Sequence, residues 1–291
     1  MLIDPPWFTS EGEKLAAWTK EKLNGKPLNA IFTTNHHPDH TWSAHHLLGV
    51  FPEARYYSTP QTYHNFVIST QDKVEFWKAV VGPGHFPDVP AVPEPFNHTI
   101  FVLPGDESSP IVLLSPLVGD AVDHAILWLP KERVVIAGDV VYGRKYPVLL
   151  SDAPTLDLAE SWVNALKLIS ALEPALVIPG HSAPGETLDG HTDVKFTLDY
   201  VEWGIKNILA AAEQPTPKQI YDGLLSAFPD ATRNASFLAN VTAESLGKDG
   251  TIWEENIHED LTLRKRGVLD AYILSGKPAS ASQQAVKHSE L

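Results

Sequence analysis

The 291-residue sequence contains no cysteine. A chain without cysteine cannot form disulfides, zinc ribbons or iron–sulfur clusters, and it has no thiol nucleophile. No run of roughly 18 consecutive apolar residues is present either, so the sequence predicts no membrane-spanning helix. The opening residues, MLIDPPWF, have neither the basic start nor the apolar core of a signal peptide, and together these absences lead us to expect a cytoplasmic protein.

Basic residues are also scarce. The chain has 22 Lys and Arg against 36 Asp and Glu, which gives a formal net charge of −14. Such an acidic balance disfavours general binding to nucleic acids or anionic membranes. The sequence has no G-x-G-x-x-G, P-loop or G-x-S-x-G motif, so dinucleotide binding, nucleotide hydrolysis and serine hydrolysis lose their main support. The oligomeric state stays open.

Short apolar runs alternate with helical patterns through the first 180 residues, and this alternation predicts a layered α/β fold. A capping box at Ser10 and Glu13 predicts the start of the first helix. Residues 83–96 are rich in proline and include Phe86, which predicts a loop packed over another part of the protein. We expect one domain over residues 1–274, mainly helical from 190, and a disordered tail over 275–291. The other predicted elements are strands at 30–33, 55–58, 99–103, 111–114, 124–129, 133–137 and 175–178, and helices at 62–68, 74–80 and 156–172.

The strongest local signal is Asn35-His36-His37-Pro38-Asp39-His40. Pro38 forces His37 into an extended conformation, in which His37 and Asp39 point the same way. The turn into the next helix then brings His40 towards them. Two imidazoles and a carboxylate at one point form the outline of a metal site. A helix cap at Asp39, with histidines on the surface, is the alternative interpretation.

Three later segments place a glycine and then a potential ligand at the edge of a predicted strand. They are Gly119-Asp120, Gly138-Asp139 and Gly180-His181. Side chains at strand ends are well placed to build a site on a sheet scaffold. Taken singly, each pair is also an ordinary turn.

In this order and spacing, the four segments resemble the metallo-β-lactamase superfamily over roughly residues 2–190. The resemblance implies an αββα sandwich, with Leu2-Ile3-Asp4 matching the strand before the first helix. Because family members have further strands before that point, we expect either a sequence that is truncated at its N-terminus or a first sheet that lacks N-terminal strands. The resemblance also implies one metal ion held by Asp39, His40 and His181, with Asp139 bridging to a second ion.

The first metal position departs from the family pattern. Asn35 and Asp120 stand where the family has histidines, so the resemblance leaves Asn35, His37 and Asp120 as its ligands, with Asn35 a weak one. We therefore expect one or two Zn²⁺ ions. A site richer in oxygen ligands also suits Mn²⁺ or Fe²⁺.

The resemblance implies a metal-dependent hydrolase of a small ester, lactone, lactam or thioester, so we expect a small-molecule substrate as the partner. It also implies a metal-bound hydroxide that is oriented by Asp39, the expected catalytic residue. Two alternatives stay open: a lyase, dehydratase or oxygen-using enzyme on the same fold, and a degenerate, non-catalytic binding protein. Tyr142 and Phe86 are candidate substrate contacts, although either can be a packing residue. We expect His36 to point away from the metal.

Overall fold

The structure is a computed structural model that describes residues 1–251. The helical pattern predicted over 256–274 and the tail predicted over 275–291 lie outside the described residues. The strands of the described chain are β1 (Leu2–Ile3), β2 (Ala30–Phe32), β3 (Arg55–Ser58), β4 (Glu94–Pro95), β5 (Ile100–Phe101), β6 (Ile111–Leu117), β7 (His124–Leu129), β8 (Val134–Tyr142) and β9 (Leu176–His181). Its α-helices are α1 (Thr9–Leu23), α2 (Ala44–Val50), α3 (Pro60–Val81), α4 (Leu156–Ala171), α5 (Thr192–Gly204), α6 (Pro217–Ala227) and α7 (Ala235–Leu246).

Two sheets pack face to face between helices. The first sheet has the order β1-β2-β3-β4 with all neighbours parallel. The second has the order β5-β6-β7-β8-β9 and is antiparallel except for the parallel pair β8–β9. Phe32 of the first sheet shares a buried apolar cluster with residues of the second, among them Phe101, Leu113 and Leu127. The predicted αββα sandwich is therefore confirmed.

The outer faces of the two sheets are covered by different helices. Ile31 of β2 packs with Ala16 of α1 and Leu47 of α2. On the other side, Trp162 of α4 is fully buried, and its indole N–H donates to the carbonyl of Val140 at 2.9 Å. Burying such an amphipathic helix face is what stabilises each outer layer. None of the helices described for residues 1–251 is long and apolar enough to cross a membrane.

Three of the differences from the sequence-based expectation have an identifiable cause. The patterns at 62–68 and 74–80 belong to one continuous helix, α3. The sequence pattern predicts two helices because Ser69 and Lys73, which are buried on the inner face of α3, interrupt the apolar periodicity. At the start of α1, the backbone N–H of Phe8 bonds to Glu11, so the predicted capping box at Ser10 lies two residues too late. Strand β8 runs to Tyr142, five residues past its predicted end at 137, because β9 pairs beside it.

Candidate metal centre

The candidate site lies where several strands of the two sheets end. Asp4 follows β1, Asp39 and His40 lie in the loop after β2, Asp139 lies in β8, and His181 closes β9. These residues line one cavity of about 510 Å³. A cavity of this size accommodates a small organic molecule.

The loop after β2 is held by hydroxyl groups. His37 has φ −63° and ψ 150°, the extended conformation that Pro38 was expected to impose, and residues 38–40 then form a short 3-10 turn. The hydroxyl of Thr33 donates to the carbonyls of Asn35 at 3.0 Å and His40 at 2.7 Å. These contacts connect the residue after β2 with both ends of the segment 35–40.

Four ionisable side chains converge at the floor of the cavity: Asp39, His40, Asp139 and His181. One ligand atom from each lies within 4.8 Å of the others. The Oδ2 atom of Asp139 is 3.2 Å from His40 Nε2 and 3.0 Å from His181 Nε2. Asp39 Oδ2 lies 3.3 Å from His181 Nε2. Two imidazoles and two carboxylates at this spacing form a donor set that suits a divalent cation.

Asp4 supports His40 from the side away from the cluster. Its Oδ2 atom lies 3.0 Å from His40 Nδ1 and also accepts the hydroxyl of Thr34 at 2.8 Å, while its Oδ1 atom accepts the Thr34 backbone N–H at 2.7 Å. A carboxylate beside Nδ1 favours the tautomer that carries its proton there. The lone pair of Nε2 then points into the cluster, as a metal ligand requires.

The charges of the cluster stabilise one another. Burial alone would lower the pKa of His40, but Asp139, Asp4 and Asp39 outweigh it and raise that pKa well above its ordinary value. Burial would likewise lower the pKa of His181, but Asp139 and Asp39 outweigh it and raise that pKa well above its ordinary value. Burial would raise the pKa of Asp139, but His181 and His40 lower it well below its usual range. Strongly perturbed groups gathered in a cleft are characteristic of functional sites.

A glycine leaves space for the Asp139 carboxylate. A Cβ atom added at Gly180 would collide with Asp139 Oδ1. Since β8 and β9 are parallel neighbours, the residue before His181 must be small for both side chains to reach the cluster.

The remaining predicted ligands lie beside the cluster and are engaged in other contacts. Asn35 Oδ1 accepts the backbone N–H of His37 at 2.7 Å. Fully buried Asp120 accepts from the Tyr142 hydroxyl at 2.7 Å and lies 2.8 Å from His124 Nε2. His37 Nδ1 is 3.5 Å from Asp120 Oδ2, a spacing that two ligands of one ion can have. A second ligand set at these three positions stays a prediction.

His36, Tyr142 and Phe86, for which the sequence supports weaker predictions, lie in different surroundings. His36 does point away from the cluster, since its Nδ1 lies 2.8 Å from buried Asp123. Tyr142 lines the cavity. Phe86 does not line it, because its ring is buried against Trp42 at a centroid distance of 4.6 Å. The expected substrate contact at Phe86 is therefore replaced by an aromatic packing contact.

Several residues that shape the site carried no sequence signal. Asp152 lies 3.2 Å from His37 Nε2, and the buried Lys73 of α3 lies 3.4 Å from His36 Nε2. Trp7 and Trp77 form part of the cavity wall. None of these residues belongs to a motif, and the fold alone brings them to the cavity. Asp4 is different, because it ends the Leu2-Ile3-Asp4 motif that resembles the family. It follows β1, the strand beside β2, and the loop after β2 carries Asp39 and His40.

The fold is a two-sheet sandwich, and the candidate metal site is a cluster of aspartate and histidine side chains at its strand ends. The chain belongs to the metallo-beta-lactamase superfamily, whose family model matches residues 1–181. The resemblance inferred from the order of the motifs is thereby confirmed.

Comparisons with individual proteins found similar ones among solved structures. No curated protein matches the chain. Similar structures include a metallo-beta-lactamase from Pontibacter korlensis, at 20% identity over 69% of this chain and 80% of that one, with a TM-score of 0.49. The DIM-1 metallo-beta-lactamase is 22% identical over 68% and 79%, with a TM-score of 0.48. TMB-1 is 19% identical over 70% and 80%, with a TM-score of 0.45.

Proposed function

We propose that the protein is a metal-dependent hydrolase of a small ester, lactone, lactam or thioester. The observation that carries the proposal is the cluster of Asp39, His40, Asp139 and His181, whose ligand atoms lie within 4.8 Å of one another at the floor of a cavity. Membership of a superfamily with such sites supports it. Fold alone does not define a reaction, so the substrate must be argued from the cavity.

The donor set fits a divalent cation. His40 and His181 would hold it through Nε2, and Asp139 Oδ2 faces both nitrogens. We expect Zn²⁺, and two carboxylates beside two imidazoles also suit Mn²⁺ or Fe²⁺. When bound there, such a cation acidifies a water molecule and polarises the substrate carbonyl.

Asp39 is the group that we assign to proton handling. Its side chain is the most solvent-exposed of the four, at 35% against 29% for His181. A carboxylate oxygen in that position can orient the attacking water and accept its proton. Tyr142 would help to hold Asp120 in place through the bond from its hydroxyl group.

A metal assay combined with a substrate panel tests the proposal. Purified full-length protein is analysed for bound metal, then loaded with zinc and offered esters, lactones, lactams and thioesters. We expect about one ion or more per chain and turnover in at least one class. His181→Ala should lose both, whereas His45→Ala should lose neither, because His45 is an exposed histidine on α2. A chain that binds no metal, or turnover that survives His181→Ala, would refute the proposal. The cytoplasmic location and the lack of a nucleic-acid partner stay predictions from composition.

A further inference from the structure

The cavity around the candidate metal centre is unusually rich in carboxylates. Six of the residues that line it are acidic, whereas the described lining residues include one lysine, Lys73, and no arginine. The acidic residues are Asp4, Glu11, Asp39, Asp120, Asp139 and Asp152.

These charges are only partly compensated within the site. A divalent ion at the cluster and the ammonium of Lys73 offset three of the six carboxylates, which leaves three negative charges when the imidazoles are neutral, and a second divalent ion beside His37 and Asp120 would still leave one. Protonation of His37, which lies 3.2 Å from Asp152, would still leave two. Lys73 is itself buried, and its Nζ atom faces His36 at 3.4 Å. The sign of the potential in the cavity is therefore negative.

The upper wall of the cavity is aromatic. Trp7 stacks on Phe8 at a centroid distance of 4.7 Å and meets Trp77 edge to face at 4.3 Å, and Phe237 of α7 lies 6.3 Å from Trp77. All four residues line the cavity. Aromatic rings bury apolar groups well, and their electron-rich faces attract cations but not anions.

We propose that the cavity selects substrates without negative charge: a neutral or ammonium-bearing acyl compound whose apolar part packs on Trp7, Phe8, Trp77 and Phe237. The inference rests on the proposed hydrolase function and narrows its substrate class. Esters, lactones and thioesters that lack an ionised acid fit the cavity. Carboxylate-bearing lactams and phosphate esters are repelled by it.

Glu11 offers a probe of this selection outside the metal cluster. It is exposed, lines the cavity, and its Oε2 atom accepts the backbone N–H of Phe8 at 3.3 Å. A glutamine at this position keeps an oxygen acceptor for that bond, so Glu11→Gln removes the charge and leaves the start of α1 intact. Glu13→Gln is the matched control, because Glu13 is exposed on the same helix but does not line the cavity.

The test measures binding, and no turnover is needed. Zinc-loaded full-length protein is titrated by calorimetry with N-benzyl-phenylacetamide and with the same amide carrying a para-carboxylate. At low ionic strength the neutral amide should bind at least about tenfold more tightly, and about 0.5 M salt should reduce the difference because the charges are then screened. Glu11→Gln should narrow the difference about two- to threefold, and Glu13→Gln should leave it unchanged.

Each other outcome would overturn the inference. A carboxylate that binds as tightly as the neutral amide would show that the cavity does not select by charge. A preference insensitive to both salt and Glu11→Gln would have a cause other than the cavity carboxylates, and failure of both amides to bind would remove the aromatic subsite. Failure of the hydrolase proposal is seen separately, as absence of turnover across the substrate panel.

Discussion

Replacing Asp4 by asparagine tests how the site orients His40. Asp4 provides two acceptor oxygens, one for the Thr34 backbone N–H and one that faces both the Thr34 hydroxyl and His40 Nδ1. An asparagine has a single acceptor oxygen, which the backbone N–H would take. Its amide N–H groups would then face His40 Nδ1 and drive the imidazole proton to Nε2, where it blocks metal binding.

The expected cost of Asp4→Asn is a loss of about 10- to 100-fold in zinc affinity, the usual effect of removing a carboxylate behind a metal-binding histidine. This corresponds to about 1.4–2.7 kcal/mol. A chelator competition at pH 7 measures the zinc affinity, and thermal unfolding checks that the variant is folded. Thr34→Val is the matched control, because it removes the bond from the hydroxyl to Asp4 and leaves the carboxylate beside His40. Unchanged affinity in Asp4→Asn, or an equal loss in Thr34→Val, would refute the reasoning.

Three further predictions concern neighbouring residues. Gly180→Ala should weaken zinc binding about tenfold or more, because its Cβ displaces the Asp139 carboxylate; Gly49→Ala, in open space on α2, should not, and equal affinities in the chelator competition would contradict this. Asp120→Ala should lower the free energy of unfolding by about 2–4 kcal/mol in urea titrations, because the buried Tyr142 hydroxyl and His124 Nε2 lose their acceptor. The variant should still bind one zinc ion at the cluster of Asp39, His40, Asp139 and His181. Burial lowers the pKa of His36 to about 4, so the unfolded chain takes up this proton first as pH falls. Between pH 7 and pH 5 the stability advantage of wild type over His36→Gln should shrink by about 2 kcal/mol, and a constant difference would show that His36 is not buried in neutral form.

The order of motifs made the fold predictable, because each motif couples a glycine and a ligand-type side chain to a strand end. Strand β7 begins and ends where the strand-like run of residues 124–129 predicts. For strand β8 the sequence predicts an end at 137, because Gly138 and Asp139 are typical of a turn, whereas the strand runs to Tyr142. In the structure Gly138, at φ +50°, stays within the strand and turns the chain so that Asp139 faces the cluster.

The cavity wall was far less predictable than the ligand cluster. Lys73 interrupts the apolar pattern of α3, and a lysine in a helix is ordinarily solvated, so no local rule indicates that its side chain is buried beside His36. Phe86 shows the converse error. Its place in an apolar loop suggests a substrate contact, but its buried ring packs on Trp42 at a centroid distance of 4.6 Å. Which aromatic side chain faces the cavity depends on packing between segments distant in sequence.

The two residues that depart from the family pattern are understandable as a pair. Asn35 Oδ1 accepts the backbone N–H of His37 within its own loop. Asp120 provides two acceptor oxygens to Tyr142 and His124, whereas a histidine would supply one neutral acceptor. Each replacement therefore stabilises the strand ends around the cluster while it reduces the number of imidazoles at the first metal position. In this structure Asn35 and Asp120 are hydrogen-bonded within the protein, and the ligand atoms that lie within 4.8 Å of one another belong to Asp39, His40, Asp139 and His181.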